Sequence, residues 1–292
     1  MTNNSSDAGQ SDSDAGVGLV RTLKYKILDG LRAAGVLWLV DEMHYWMQRY
    51  KVSGTNSEFI RNNPDFPLPP YDLAFDAYNS IDWRNYKQVG KAHASIFSDT
   101  VKSVIPPGDI SILEWGCGPG RLIRHWDELL PGYSVQVTGT DYNSRTIDWC
   151  RENLLGYEFV KNELMPPMAL GDAQFDVVYC FSVFTHLSWE AQQAWAEELK
   201  RVLKPGGLFI CTTHGDKCRH LLTTKADIDT YEAGDVVLKG QYVEGKKWYL
   251  SFHPEKFVRE SLLAGYTDIS KVDVTQDESL LQDVWAGRKP SG

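Results

Sequence analysis

The stretch Ser111-Ile112-Leu113-Glu114-Trp115-Gly116-Cys117-Gly118-Pro119-Gly120-Arg121 decides the fold. It opens as a short apolar run, bounded upstream by Pro106-Pro107-Gly108-Asp109, and reads as a buried strand. Glu114 stands where that strand ends, and three glycines follow at alternate positions. Leu122, Ile123, Trp126, Leu129 and Leu130 then share one helical face. Strand, glycine loop and helix make the phosphate- or nucleoside-binding corner of a doubly wound α/β fold. Glycine matters there because a Cβ would keep a ligand away from the backbone.

The pattern continues downstream. Val135 to Thr140 is a second strand ending at Asp141, and Asn143-Ser144 caps a helix whose inner face is Ile147, Cys150 and Leu154. Tyr157 to Val160 is a short third strand. Phe175 to Cys180 is a fourth, nearly continuous in apolar character as a central parallel strand should be. Ser188 caps a helix carrying Ala191, Trp195, Leu199 and Val202, which Leu203-Lys204-Pro205-Gly206-Gly207 stops before a fifth strand, Leu208 to Thr213. Such alternation demands right-handed crossovers and a parallel sheet. Residues 215–253 depart from it and read as an insertion. Within it, Val236 to Val243 and Lys247 to Phe252 form a hairpin around Glu244-Gly245. Pro254 opens a helix with Phe257, Val258, Leu262 and Leu263, and Tyr266 to Val274 and Leu280 to Arg288 are strands six and seven.

Upstream, a helix over about Arg84 to Val104 precedes the first strand. Residues 1–16 are almost free of apolar side chains and read as a disordered tail. Residues 17–70 are a helical extension followed by a stiff Pro-rich connector, Asn62 to Pro70. Leu23, Ile27 and Leu31 fall at helical spacing, with interruptions expected near Gly30 or Gly35. The extension reads first as a cap packed on the main domain, then as a dimer interface or substrate lid, and last as a membrane-surface helix suggested by Arg21, Lys24 and Lys26. The main domain is placed at 71–292.

The dinucleotide fingerprint G-x-G-x-x-G fits poorly, because Arg121 occupies its third glycine position. The motif E-x-G-x-G-x-G instead resembles the first motif of the class I S-adenosylmethionine-dependent methyltransferases, and the resemblance covers roughly residues 85–288 with its motifs in order. It implies a Rossmann-like, seven-stranded, mostly parallel sheet and S-adenosylmethionine as cofactor. It also implies that Glu114 and the backbone of Gly116, Cys117, Gly118 and Gly120 hold the methionine part, directly or through water. Asp141 is the expected ribose acceptor, a role that an NAD site would share. Tyr142 is expected to pack on the adenine, and Asn162, in the loop after strand three, to meet its edge.

Phe181-Ser182-Val183-Phe184-Thr185-His186-Leu187 follows strand four and should face the reacting centre. It lacks the Asn/Asp-Pro-Pro-aromatic motif of adenine N6 enzymes and the Pro-Cys of cytosine C5 enzymes. It resembles a segment of bacterial small-molecule and glycan methyltransferases, which points to a hydroxyl acceptor. Phe181 is a candidate cofactor contact. His186 is the candidate general base, because a neutral alcohol must lose its proton to a group titrating near the working pH. His214 and His253 are rival bases. Tyr242, Lys246, Lys247, Trp248, Tyr249 and His253 in the insertion are candidate acceptor contacts.

Over 292 residues the hydrophobic fraction is 42% and the formal net charge −9, which argues against a general nucleic-acid binder. Five cysteines without a C-x-x-C pair suggest neither disulfide framework nor zinc knuckle, and a reducing, cytoplasmic setting fits them. No carboxylate set has metal-ligand spacing, no apolar run reaches the ~18 residues of a membrane span, and oligomeric state is open. The reading is thus an O-methyltransferase acting on a small molecule or glycan. The alternatives are an NAD-dependent oxidoreductase and a non-catalytic nucleoside-binding scaffold.

Overall fold

A computed structural model describes residue 27 and residues 30–31, 35–240, 243–274 and 280–292. The tail 1–16, Leu23 with Arg21, Lys24 and Lys26, and Tyr242 lie outside the described residues. The chain forms a seven-stranded sheet in the order β3-β2-β1-β4-β5-β9-β8. Its strands are β1 (Asp109–Trp115), β2 (Ser134–Asp141), β3 (Glu158–Lys161), β4 (Phe175–Cys180), β5 (Leu203–Thr213), β8 (Thr267–Val272) and β9 (Asp283–Arg288). The first five are parallel, and β9 runs antiparallel to both neighbours.

Because successive side chains point to opposite faces, β1 feeds two cores. Ile112 joins Phe97, Trp126, Ile147 and Tyr179 on one side of the sheet. Leu113 and Trp115 join Trp195, Phe209 and Trp285 on the other. Helix α4 (Trp83–Val104) packs on the first side, N-capped by Asp82, and α6 (Ser144–Asn153), capped by Asn143, follows β2. Helix α7 (Trp189–Val202), capped by Ser188, packs on the second. Ahead of α4, α1 (Leu37–Lys51) and α2 (Ser53–Asn62) of the extension and α3 (Tyr71–Tyr78), which opens the main domain, fold around an aromatic core of Phe59, Phe75, Trp83 and Tyr86. Among the described residues, no helix is long and apolar enough to cross a membrane.

Two expectations need correction. The helix after the glycine loop is shorter: Ile123–His125 is a 3₁₀ turn, followed by α5 (Trp126–Leu129). The expected apolar face is kept, but Arg124 Nε rather than a backbone N–H donates to the Gly120 carbonyl, at 2.6 Å. The second correction concerns the hairpin. Its strands are only β6 (Val237–Lys239) and β7 (Leu250–Phe252). Residues 243–249 lie between them as turns, because their backbone groups are engaged elsewhere. Gly245 N donates to the His186 carbonyl at 2.9 Å, and the Tyr249 carbonyl accepts from His186 Nδ1. The insertion also contains helix α8 (Lys225–Glu232), signalled by Thr224, whose hydroxyl accepts from Asp227 N.

Candidate functional site

The glycine loop is pinned to the end of β2. Gly116 N and Cys117 N both donate to the Thr140 carbonyl at 2.8 Å, and Gly118 N donates to Asp141 Oδ2 at 3.0 Å. Gly116 and Gly118 have φ of +75° and +49°. A Cβ on Gly116 would lie 2.4 Å from Val183 Cγ2, and one on Gly118 would lie 2.8 Å from the Tyr78 hydroxyl. Both positions therefore demand glycine on conformation and on space.

Above the C-terminal ends of β1, β2 and β4 lies a cavity of about 520 Å³. Of the expected cofactor residues, Gly116, Gly118, Asp141, Tyr142, Asn162 and Phe181 line it, and so do His186 and His214. Glu114, Cys117, Gly120 and His253 do not. A larger cleft of about 1150 Å³ sits between α4 and the β8–β9 edge, near Gly206 and Thr267. It is at the opposite end of the parallel strands, away from the edge where this topology gathers its loops.

Glu114 sits beneath the loop instead of in the cavity. Its carboxyl is buried and accepts from the Tyr179 hydroxyl at 2.7 Å, and Tyr179 accepts in turn from Trp126 Nε1 at 2.8 Å. Burial pushes Glu114 up to about 8, against the opposing pull of the Tyr179 hydrogen bond. Tyr179→Phe should remove a donor from one buried group and an acceptor from another. The expected loss is about 2–4 kcal/mol of stability, checked by chemical denaturation. A loss below ~1 kcal/mol would show that the network relaxes onto other partners.

Asp141 Oδ1 accepts from Asn143 N at 2.8 Å while Oδ2 accepts from Gly118 N. Each oxygen keeps a lone pair for a ligand hydroxyl. Burial raises this carboxyl to about 6, partly countered by those two N–H bonds. Asn162 donates from Nδ2 to the Glu163 carbonyl at 2.7 Å, and its buried Oδ1 has no hydrogen-bond partner among the described residues. That oxygen can accept from an amine. Tyr142 donates to the Gly245 carbonyl at 3.2 Å, so it ties β2 to the insertion.

Tyr78 and Arg121 are among the cavity residues that sequence reasoning missed. Tyr78 comes from α3, just after the extension; its hydroxyl donates to the Cys117 carbonyl and accepts from Arg121 N, both at 3.3 Å. The Arg121 guanidinium lies over the Tyr78 and Phe181 rings, 4.2 and 5.2 Å from their centroids. Its buried Nε has no hydrogen-bond partner among the described residues. A cation so placed favours an anionic ligand group. Its position after the third loop glycine was the only sequence signal.

His186, in the 3₁₀ turn Phe184–His186, has Nδ1 2.7 Å from the Tyr249 carbonyl. A carbonyl only accepts, so Nδ1 carries the proton and Nε2 keeps its lone pair. Burial lowers this imidazole below its ordinary 6.5. His214 makes the same kind of bond, Nδ1 to the Ser251 carbonyl at 3.2 Å, and its ring centroid is 6.3 Å from that of His186. His253 is buried against Gln192 Oε1, at 3.2 Å from Nε2. The insertion roofs the cavity and is clasped to α3 and α1: Lys246 pairs with Asp76 at 3.1 Å and Lys247 with Asp41 at 2.7 Å. Lys247 and Trp248 line the roof. Among the described residues, no group of three or more His, Cys, Asp or Glu is placed to hold a metal ion.

A family model described as "Methyltransferase domain" matches residues 112–207. The chain is 33% identical over 102 residues to a probable S-adenosylmethionine-dependent methyltransferase of Mycolicibacterium smegmatis, covering 35% of this chain and 37% of that one. It is 31% identical over 120 residues to a tRNA N(3)-methylcytidine methyltransferase of Schizosaccharomyces pombe, covering 37% and 38%. The chain thus matches little more than a third of the length of these curated relatives. The structure of the CurJ carbon methyltransferase superposes with a TM-score of 0.53 at 15% identity, covering 90% of this chain and 71% of that one, and so shares the fold.

Proposed function

We propose, for a chain that belongs to the class I S-adenosylmethionine-dependent methyltransferases, that it transfers a methyl group to a hydroxyl of a small molecule or glycan. The cofactor is S-adenosylmethionine, whose sulfonium supplies an electrophilic methyl group when bound. The cavity residues suit it. Gly116 and Gly118 leave backbone open to the methionine part, and Arg121 meets its carboxylate. Asp141 accepts from the ribose hydroxyls, and Asn162 Oδ1 from the adenine amine. Tyr142 and Phe181 flank the site.

The observation that carries the hydroxyl reading is His186. Its Nδ1–H is held by the Tyr249 carbonyl, and the other nitrogen is left unprotonated in a cavity-lining side chain. A neutral alcohol needs such a base, whereas an amine or thiolate has less need of one. Alignment of nucleophile and methyl carbon falls to the roof, where Lys247 and Trp248 face the acceptor. The net charge of −9 favours a small molecule or glycan over tRNA. The test is methyl transfer across a panel of sugar alcohols, phenols, amines, thiols and tRNA. Transfer confined to amines, thiols or tRNA would overturn the hydroxyl reading, and no transfer despite cofactor binding would favour a non-catalytic scaffold.

Cofactor affinity gives a separate check. Asp141→Ala should weaken binding by roughly 1.5–3 kcal/mol, about 10- to 150-fold, through loss of charge-assisted hydrogen bonds. Calorimetry with S-adenosylhomocysteine measures it. Unchanged affinity in a folded variant would take Asp141 out of the site.

A further inference from the structure

The outward face of α1 has no partner among the described residues. Leu39, Met43, Trp46 and Tyr50 recur at steps of four, three and four, the 3.5-residue alternation of a coiled-coil seam. All four are exposed, from 46% at Leu39 to 85% at Tyr50, and Met47 beside them is 50% exposed. Side chains of this size make a patch of roughly 600–700 Å², larger than most monomers leave open and close to the ~800 Å² each partner gives to a standard interface. The opposite face holds the helix in place. Asp41 pairs with Lys247 at 2.7 Å, and Gln48 Nε2 donates to the Asn79 carbonyl at 3.0 Å.

We propose that this seam is a two-fold interface with a second copy of the chain, formed by antiparallel pairing of the α1 helices. An isologous interface needs a self-complementary patch, and this one qualifies in shape and charge. An antiparallel register that sets Leu39 against Tyr50 also sets Met43 against Trp46. Both positions sum to 89, so every layer pairs an aliphatic side chain with an aromatic one. Glu42 and Arg49 each precede a seam residue on the same flank of the helix. A two-fold axis brings like flanks together in an antiparallel pair. Glu42 of one copy therefore faces Arg49 of the other, twice, offset by about 3 Å along the axis at 1.5 Å per residue. A parallel pair would set that flank against Val40 and Met47 instead. Both charges are already oriented: Glu42 Oε1 accepts from Trp46 Nε1 at 2.6 Å, and the Arg49 guanidinium lies 3.8 Å over the Tyr71 ring. The Trp46 bond also leaves the indole N–H satisfied when the ring is covered.

Sedimentation velocity on the full chain tests this. A dimer is expected at tens of micromolar. Met43→Glu should make it monomeric, with circular dichroism and melting temperature unchanged. Glu42→Arg or Arg49→Glu alone should weaken the dimer several-fold, and the two together should restore it. A monomeric wild type at that concentration would overturn the proposal. So would a dimer indifferent to Met43→Glu, or a double reversal that fails to restore pairing. A monomer whose melting temperature drops with Met43→Glu would point to a segment of the same chain on the seam. A monomer that binds anionic vesicles only with Met43 intact would point to a lipid surface. Either result also overturns it.

Discussion

His186→Gln should slow methyl transfer by about 10²–10⁴-fold, the usual contribution of a positioned base, and leave S-adenosylmethionine affinity near wild type. The cofactor contacts proposed above belong to the glycine loop, Asp141, Asn162 and Arg121, none of which depends on the imidazole. The pH profile carries more information than the rate. Burial lowers His186 below 6.5, and the Tyr249 carbonyl partly offsets it. The base form therefore predominates at neutral pH, and the acid limb of turnover should lie below pH 6.5, where the imidazole takes up its proton. The glutamine variant should lose that limb. Full turnover with an unchanged profile would move the base to His214, whose ring also lines the cavity. His253 is buried beside Gln192 and does not line the cavity.

A second large effect is expected on stability in acid. His214 and His253 are pushed down to about 3, both chiefly by burial. An unfolded histidine titrates near 6.5. Between those values the unfolded chain binds more protons than the folded one, so stability falls with falling pH. The contribution is complete above about pH 6.5 and is lost at ~1.4 kcal/mol per pH unit for each residue. For the pair this is ~5 kcal/mol by pH 4.5, comparable with the whole stability of a marginal domain. Glu114 and Asp141, raised to about 8 and about 6, act in the opposite sense. Their contribution is present below the ordinary carboxylate value and is lost as pH rises through the folded one. A difference measurement removes them. Denaturation midpoints of wild type and His253→Gln, compared from pH 7.5 to 4.5, should converge, with the variant's slope shallower by ~1.4 kcal/mol per unit. Parallel curves would mean that His253 finds a partner for its charged form.

Much of this was written locally. The runs Ser111–Trp115, Val135–Thr140 and Phe175–Cys180 carry their own burial, because a central parallel strand is apolar on both faces. Asn143 and Ser188 cap helices through their own side chains, within three residues of themselves. Glycine at 116 and 118 follows from a backbone conformation that other residues resist. From such signals the sheet, its loop-bearing edge and the position of Asp141 at the end of β2 followed.

Other features depended on residues far apart in the chain. Glu114 stands at the end of a strand, where the sequence alone does not say which way it turns. Only the parallel register that puts Tyr179 beside it shows why its carboxyl turns into the core. Tyr78 lies 39 residues before the carbonyl it bonds, and Tyr249 lies 63 residues beyond the His186 nitrogen it orients. Residues 243–249 carry a hairpin's pattern, but their backbone closes on itself at Lys246 N and Tyr249 N and reaches out to His186 and Tyr142. The sequence by itself determined the sheet, the glycine loop and which histidines were available. Tertiary structure decided which of them reach the cavity and which way their protons sit. Periodicity and capping are short-range properties of the backbone, whereas burial, tautomer and pairing depend on what the completed fold brings within a few ångströms.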